Sequence, residues 1–526
     1  METMPIRKLP VGIQDFTKLR EENFLYVDKT ALVYRMAVSG NPIFLSRPRR
    51  FGKSLLLSTL EAYFLGRKEV FKGLAIEQLE KDWKVYPVLH LSLNAQYYED
   101  KRSLEQVFEV HFIEWEKQYG KTDKEVGYAG RFMQIIRQAC EKTGEKVVVL
   151  IDEYDKPLLR TLFNDDLQDV YREMLTGFYT VLKDADRYLR FVFITGVTKF
   201  SQLGVFSNLN QLMDISMNPV YANICGLTRQ EIEHTFTPDV KAVGEMNGLT
   251  FEQTMNELTR RYDGYRFTQI KTEGLYNPFS ILNVFSSRVF QSYWFATGTP
   301  TMLVDILKKT DYDLRKLDGI EVPAAALTDY RMDFHNPVPI IYQSGYLTIK
   351  EYDLLKNFYV LGYPNAEVEY GWLNFITPYY TPMSEANAPF YIGKFWDELR
   401  EGDVDSFMER LRAFFAGMPY ELNDKTERHY QEIFYIVFKL LGQYVDVDVD
   451  VEVRSARGRA DAVVKTTDYI YVFEFKLNGS VDEALRQIDD RGYLIPYAAD
   501  GRQLVKVGAS FNKEDRNIGE WKVVDS

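Results

Sequence analysis

Along the first 230 positions, apolar residues come in short continuous runs separated by stretches with helical spacing. Pro42-Ile43-Phe44-Leu45-Ser46, Val85 to Leu93, Lys146 to Ile151 and Phe191 to Ile194 are such runs. Between them, Ser54 to Phe64 and Leu104 to Trp115 repeat large apolar residues at the period of a helix. A strand that is apolar at nearly every position is buried on both faces. Strands of that kind alternating with helices predict a parallel sheet covered by helices on both sides.

From about Thr228 to Tyr370 the pattern turns helical, then alternates from Tyr346 to Val368 with turn residues between, which predicts a small helical domain ending in a β-wing. Residues 371–420 are again helical, and the Pro- and Ser-containing stretch Thr377 to Pro389 is the best candidate linker. The last hundred residues have a pattern of their own. Helix Glu427 to Leu441 precedes Val445 to Val453, where valine alternates with Asp or Glu, as on a half-exposed strand. Strands Ala460 to Val464 and Tyr469 to Lys476, helix Val481 to Arg491 and strand Gln503 to Ser510 follow, giving the order α-β-β-β-α-β. The expected division is 1–230, 231–370, 371–420 and 421–526.

Composition supports several packed cores. The 526 residues exceed what one core holds, and 46% hydrophobic with 15% aromatic residues argues against a disordered chain. A formal charge of −12 disfavours non-specific binding to nucleic acid or to anionic membrane, but leaves room for a local basic groove. Cys140 and Cys225 match no metal or redox spacing and are expected as buried thiols in a reduced compartment. No segment approaches the roughly 20 apolar residues of a membrane span, and Met1 to Val11 has no apolar signal region. The expected location is the cytoplasm, with no membrane partner.

The chemistry begins at the turn after the first apolar run. A phosphate loop needs backbone N–H groups curled round phosphate oxygens, a lysine for the terminal phosphates and a hydroxyl for magnesium. Arg49, Arg50, Phe51, Gly52, Lys53 and Ser54 stand between strand and helix, where such a loop belongs. Arg47 occupies the place of the usual first glycine, and Pro48 removes one N–H donor. Asp152 and Glu153 follow the run Val147 to Ile151 about a hundred residues later, as a magnesium-holding acid followed by a water-orienting one would. The expected metal ligands here are Ser54 and Asp152, with Glu153 catalytic. Thr195 is either a sensor of the terminal phosphate or a polar strand end. Arg49 and Arg50 either add positive charge at the phosphates or face solvent.

Residues 5–230 resemble the AAA-ATPase-like family of bacteria. The matching pieces are Pro10-Val11-Gly12, Tyr26-Val27-Asp28-Lys29-Thr30, Arg47 to Ser54, Leu150 to Asp155 and Thr195-Gly196-Val197. Tyr262-Asp263-Gly264-Tyr265, Tyr276 to Phe279 and Thr297-Gly298-Thr299-Pro300 extend the resemblance through the middle of the chain. It implies ATP and Mg2+ as cofactors and makes Arg47 a family trait. It also puts Asp28 and Lys29 near the nucleotide, unless they are simply a helix N-cap region.

In the strand Tyr469 to Lys476, alternation puts Ile470, Val472, Glu474 and Lys476 on one face, with Tyr471, Phe473 and Phe475 on the other. A Glu and a Lys on an apolar strand are costly to bury unless they pair or bind something. An antiparallel neighbour could bring Asp461 beside Glu474. Two carboxylates and a lysine can hold magnesium, activate water and stabilise an attacked phosphodiester. The order Asp461…Glu474-x-Lys476 on this pattern resembles the PD-(D/E)xK nuclease superfamily, and Gln487 and Tyr493 match auxiliary positions. The resemblance implies Asp461, Glu474, Lys476 and Gln487 as catalytic residues, with Asp461 and Glu474 on the metal. Any grip on nucleic acid must come from local residues such as Arg454, Arg457 and Arg459, or from the middle domain.

The expected fold class is therefore multidomain α/β: a P-loop parallel sheet, a helical and winged-helix-like middle domain, and a restriction-endonuclease-like α-β-β-β-α-β domain. With no basic recognition helix, the middle domain is expected as a lid rather than a DNA reader. Two functions remain open. One is an ATPase that controls a magnesium-dependent nuclease acting on DNA or RNA. The other is a non-catalytic nucleotide switch whose inactive nuclease-like end recognises a partner. Self-association is left open.

Overall fold

The computed structural model describes residues 8–94, 97–121, 127–199, 211–270, 272–295, 301–328, 336–381, 387–417, 427–444, 448–455, 458–477, 479–512 and 517–525. For 328, 427–430, 448–455 and 458–460 it describes the backbone alone. The chain forms two compact units. The first comprises Met1–Tyr312 with Leu317–Glu367, the second Asp313–Lys316 with Val368–Ser526.

The first unit is built on β1 (Ile43–Ser46), β2 (Val88–Ser92), β3 (Val147–Asp152), β4 (Leu189–Gly196) and β5 (Met213–Asp214). They form a sheet in the order β2-β3-β4-β1-β5, with every neighbour parallel. All of β3 is buried, as its uninterrupted apolar run requires. One face is sealed by the helices Lys101–Tyr119, Tyr128–Thr143 and Asp165–Asp184. Their rings Phe108, Phe112, Phe132 and Phe178 stack on one another over Val149 and Ile151. The order places β4 between β1 and β3, so a site at the carboxyl ends of these strands spans three of them.

Beyond the sheet, the helices Arg229–Thr235, Thr237–Asn247, Phe251–Tyr262 and Pro278–Ser287 close on a second core around Ile232, Val240, Leu258 and Ile281. Capping boxes begun by Thr228 and Thr250 start two of them. The wing is present as β7 (Thr348–Asp353) and β8 (Phe358–Gly362). A third strand, β6 (Ile320–Pro323), joins them in the order β6-β8-β7.

The second unit holds β9 (Asp448–Ser455), β10 (Gly458–Lys465), β11 (Tyr469–Leu477), β12 (Gln503–Asn512) and β13 (Asn517–Asp525), in the order β13-β12-β11-β10-β9. Only β11 and β12 run parallel, and the Val481–Arg491 helix is the crossover that such a pair needs. The α-β-β-β-α-β order therefore holds, with β13 added at its end. Within 371–420, the helices Ala388–Glu401 and Val404–Ala416 pack on this same sheet. The Tyr471 hydroxyl donates to the Leu399 carbonyl, and Phe407 meets Phe473 with ring centroids 5.6 Å apart.

Candidate functional site

Two groups of the expected residues assemble, one in each unit. In the first, β1 ends at Ser46 and the chain reaches the Lys53–Phe64 helix through two left-handed positions, Arg50 (φ 65°) and Gly52 (φ 90°). Gly52 is the helix N-cap, so the helix directs its free N–H groups and positive dipole end at this turn. The Lys53 ammonium donates to the carbonyls of Arg47 (2.9 Å) and Pro48 (3.1 Å), which holds it over the loop. Burial lowers its pKa, against the opposing pull of Asp152 and Glu153. Ser54 Oγ donates to Asp152 Oδ2 at 2.8 Å across the sheet. Asp152 Oδ1 is buried without a hydrogen-bond partner, and burial raises the pKa of this carboxyl. A hydroxyl beside a carboxylate with one uncommitted oxygen is a donor set that suits Mg2+, which takes one or two carboxylates and fills its remaining positions with water and phosphate.

The other expected residues of this loop face elsewhere. Thr195 is fully buried and its hydroxyl donates to Leu45 O at 3.0 Å, tying β4 to β1. The Phe51 ring is buried edge-to-face against Tyr265 at 4.7 Å, so Phe51 offers the loop only its backbone. The Arg50 guanidinium lies over the Phe279 ring, and the Arg49 carbonyl accepts from the Trp294 indole N–H at 3.1 Å. Glu153 adopts φ 52° and its carboxylate pairs with Lys156 at 3.3 Å. Arg47 points away from the turn: its guanidinium donates to the carbonyls of Ser46 and Ser216 and lies 4.2 Å from the Phe267 ring centroid.

An apolar cavity of about 110 Å3 adjoins Gly52, lined by Tyr26, Val27, Lys29, Leu55, Ile224 and Leu282 among others. The sequence pointed to Phe51, Gly52 and Lys29 on its rim but not to Ile224 or Leu282, because the wall comes from segments far apart in the chain. Lys29 pairs with Glu231 there, while the Asp28 carboxylate accepts from Thr30 N and Ala75 N and so ties its own turn to the segment at Ala75.

In the second unit, alternation along β11 divides its side chains as expected. Phe473 and Phe475 pack on Phe438 and Phe434 of the Glu427–Leu441 helix. Val472 on the opposite face joins Val481, Leu485 and Ile488 of the crossover helix. Glu474 shares that face, 3% exposed. Its Oε1 accepts from Lys476 Nζ at 2.9 Å and from Gln487 Nε2, and Gln487 Oε1 in turn accepts from Lys476. Gln487 Nε2 also reaches the Tyr493 hydroxyl at 3.3 Å. Asp461 Oδ2 accepts from Phe475 N at 2.7 Å, which brings the β10 acid to the backbone beside Glu474. Burial, then the charge of Asp461, pushes the Glu474 carboxyl up to about 7 despite Lys476. Glu474 Oε2 is buried with no partner. Among the described residues no group of three or more His, Cys, Asp or Glu could hold a metal, so a cation here would rest on Asp461 and Glu474 with water and phosphate completing its shell. Arg454 and Arg459 face each other in the β9–β10 ladder by their backbones. Arg457 and Thr297-Gly298-Thr299-Pro300 lie outside the described residues.

Each unit contains a stretch that matches a known family. A sequence model of the predicted AAA-ATPase family matches residues 10–206, and one of the PD-(D/E)XK nuclease superfamily matches residues 425–521. An uncharacterized protein in the vnfD 5′ region of Azotobacter chroococcum mcd 1 is 35% identical over 527 residues, covering 98% of each chain. Among solved structures, the Aeropyrum pernix ORC2 protein in ADPNP–ADP complexes is 12% identical, covering 69% of this chain and 92% of its own, with a TM-score of 0.24. The Aeropyrum pernix ORC1 protein in complex with DNA is 10% identical, covering 67% and 93%, also with a TM-score of 0.24. Among the described residues, no helix is long and apolar enough to cross a membrane.

Proposed function

We propose, from the premise that the chain belongs to the predicted AAA-ATPase family and carries a C-terminal PD-(D/E)XK nuclease superfamily domain, that ATP bound in the first unit controls magnesium-dependent cleavage of nucleic-acid phosphodiesters in the second. The observation that carries this reading is shared by both sites. Asp152 Oδ1 and Glu474 Oε2 are buried carboxylate oxygens without partners, each beside a hydroxyl or ammonium that suits phosphate chemistry. A buried polar atom left unpaired is unfavourable by about 1–3 kcal/mol, and a bound cation removes that penalty.

In the first site, Gly52 and the helix start receive the phosphates, Lys53 reaches the terminal ones, and Ser54 with Asp152 holds the cation. The apolar cavity beside Gly52 takes the base. Glu153 is the residue for water. Its left-handed backbone is unfavourable for a side chain of this kind by about 1–2 kcal/mol, and such strain concentrates at functional positions. In the second site, Asp461 and Glu474 hold the metal. Lys476 stabilises negative charge on the attacked phosphate, and Gln487 fixes Lys476 and Glu474 relative to one another. A divalent cation there supplies Lewis-acid polarisation and an acidified water. The cofactors are ATP and Mg2+ and the substrate is DNA or RNA; within the first unit 1–230 is the nucleotide part and most of 231–370 its lid, and within the second 371–420 leads into the nuclease part 421–526.

The test is to incubate the purified protein with DNA and with RNA, with Mg2+, with and without ATP, while measuring ATP consumption. Cleavage should disappear in Asp461→Ala and Lys476→Ala, which retain ATP binding, and Lys53→Ala should lose ATP binding. If no nucleic acid is cut under any condition while nucleotide binding is intact, the protein is instead a nucleotide switch with an inactive nuclease-like domain. Hydrolysis and binding separate in the same assay. The engagement of Glu153 by Lys156, and of Thr195 by Leu45, favours slow turnover.

A further inference from the structure

The residues that replace a permissive glycine loop are each held by a side chain or backbone that follows position 264. Arg47 lies over Phe267, Arg50 lies over Phe279, and Phe51 packs on Tyr265. Pro48 fills the space in front of Gly345, where an added Cβ would come within 2.6 Å of it. The Arg49 carbonyl accepts from the Trp294 indole. A loop clamped in this way cannot change its backbone for a phosphate without moving the clamp.

The clamp converges on one residue. The backbone N–H of Trp294 donates to Glu367 Oε1 at 2.7 Å, and that of Tyr293 donates to the same oxygen. Ser280, the neighbour of Phe279, donates its hydroxyl to Glu367 Oε2 at 2.7 Å. Both branches, through Trp294 from Arg49 and through Phe279–Ser280 from Arg50, therefore end on one buried carboxylate. Glu367 is the last residue of the first unit, and the Ala366–Tyr380 helix in which it stands runs on into the second.

We infer that Arg49–Trp294–Glu367, with Arg50–Phe279–Ser280 beside it, is the relay by which nucleotide at the phosphate loop changes the start of the helix leading to the nuclease unit. The inference rests on the function proposed above and adds its route of control. Coupling of this kind needs a physical element whose state both ends bias, and the relay gives that part to the hydrogen-bonded Trp294–Glu367 pair, which touches both branches. Trp294→Phe keeps an aromatic ring against Tyr346 but removes the indole donor. Ser280→Ala cuts the other branch and leaves the indole in place.

The experiment is hydrogen–deuterium exchange of the full-length protein, with and without saturating ATP and Mg2+, read on peptides covering 366–380, with ATP affinity measured on the same samples. In the wild type, ATP should slow exchange there by about fivefold or more. Trp294→Phe should bind ATP and lose that slowing, and Ser280→Ala should lose part of it. An ATP-dependent slowing that survives unchanged in Trp294→Phe overturns the relay. So does a wild type that binds ATP with no change at 366–380. A Trp294→Phe protein that no longer binds ATP also overturns it, because the indole would then belong to the nucleotide site. A wild type that does not bind ATP fails the proposed function itself, and the binding measurement shows this separately.

Discussion

At Glu367 two opposed effects act on one carboxyl. Ser280, Tyr293 and Trp294 donate to it and favour the ionised form, yet burial outweighs them and pushes it up to about 7 from an ordinary value of 4.5. The folded protein then holds this proton more tightly than the unfolded chain. The associated stability is fully present below about pH 4.5 and is lost as pH rises through about 7. Glu367→Gln cannot titrate. Urea unfolding of both proteins should show the wild type losing on the order of 3 kcal/mol relative to the variant between about pH 4.5 and about pH 8. Parallel pH profiles would show that the carboxyl is not raised. At this scale it was easier to read from the sequence which candidate residues come together than which way each one points. Ser54 and Asp152 were legible because strand, turn and hydroxyl stand in fixed order along the chain. The direction of Arg47 was not. It depends on the carbonyl of Ser216 and the ring of Phe267, which no local pattern ties to the loop. For the same reason the bond from Thr195 to Leu45 O becomes visible only once β4 lies beside β1.

Among the elements, β11 was the most legible, because period-two alternation alone assigns Glu474 and Lys476 to one face. What the alternation cannot show is how closely the crossover helix approaches. Gly508 on β12 pairs with Glu474, and a Cβ there would lie 2.9 Å from Leu485 Cγ and 3.0 Å from the Val481 carbonyl oxygen. The Leu485 side chain can turn aside but the Val481 carbonyl is backbone, so the helix itself must give way, and Gln487 moves with it. Gly508→Ala should lower the stability of the second unit by about 1–3 kcal/mol. It should also cut cleavage more than tenfold at a temperature where the protein remains folded, a loss on the order of 1.4 kcal/mol in barrier. Full cleavage with unchanged melting would mean that the helix has room to spare. The elements missing from the sequence reading have weak patterns. Strand β13 carries Gly519, Glu520 and Lys522 in its middle, β6 ends on Pro323, and β5 consists of Met213 and Asp214. Each is defined by the neighbour it pairs with rather than by its own residues.

For the whole molecule, the two units have separate cores: Phe108 to Phe178 over the parallel sheet in the first, and Val472 with Leu485 and Ile488 in the second. A ligand that binds only folded protein stabilises the part that holds its site, by RT ln(1 + [L]/Kd). ATP at a hundred times its Kd should therefore stabilise the first unit by about 2.7 kcal/mol. In calorimetry of the full chain, the transition assigned to the first unit by Glu367→Gln should move up with ATP. That shift should vanish in Lys53→Ala and persist in Glu474→Gln. The complementary arm uses metal without nucleotide. Magnesium should raise the other transition in the wild type and raise it less in Glu474→Gln, because the substitution removes one of the two carboxylates assigned to the cation. If ATP moves neither transition, the first unit has no nucleotide site. If magnesium moves the second transition equally in wild type and Glu474→Gln, the cation is not at Glu474, and the chemistry assigned to β11 belongs elsewhere.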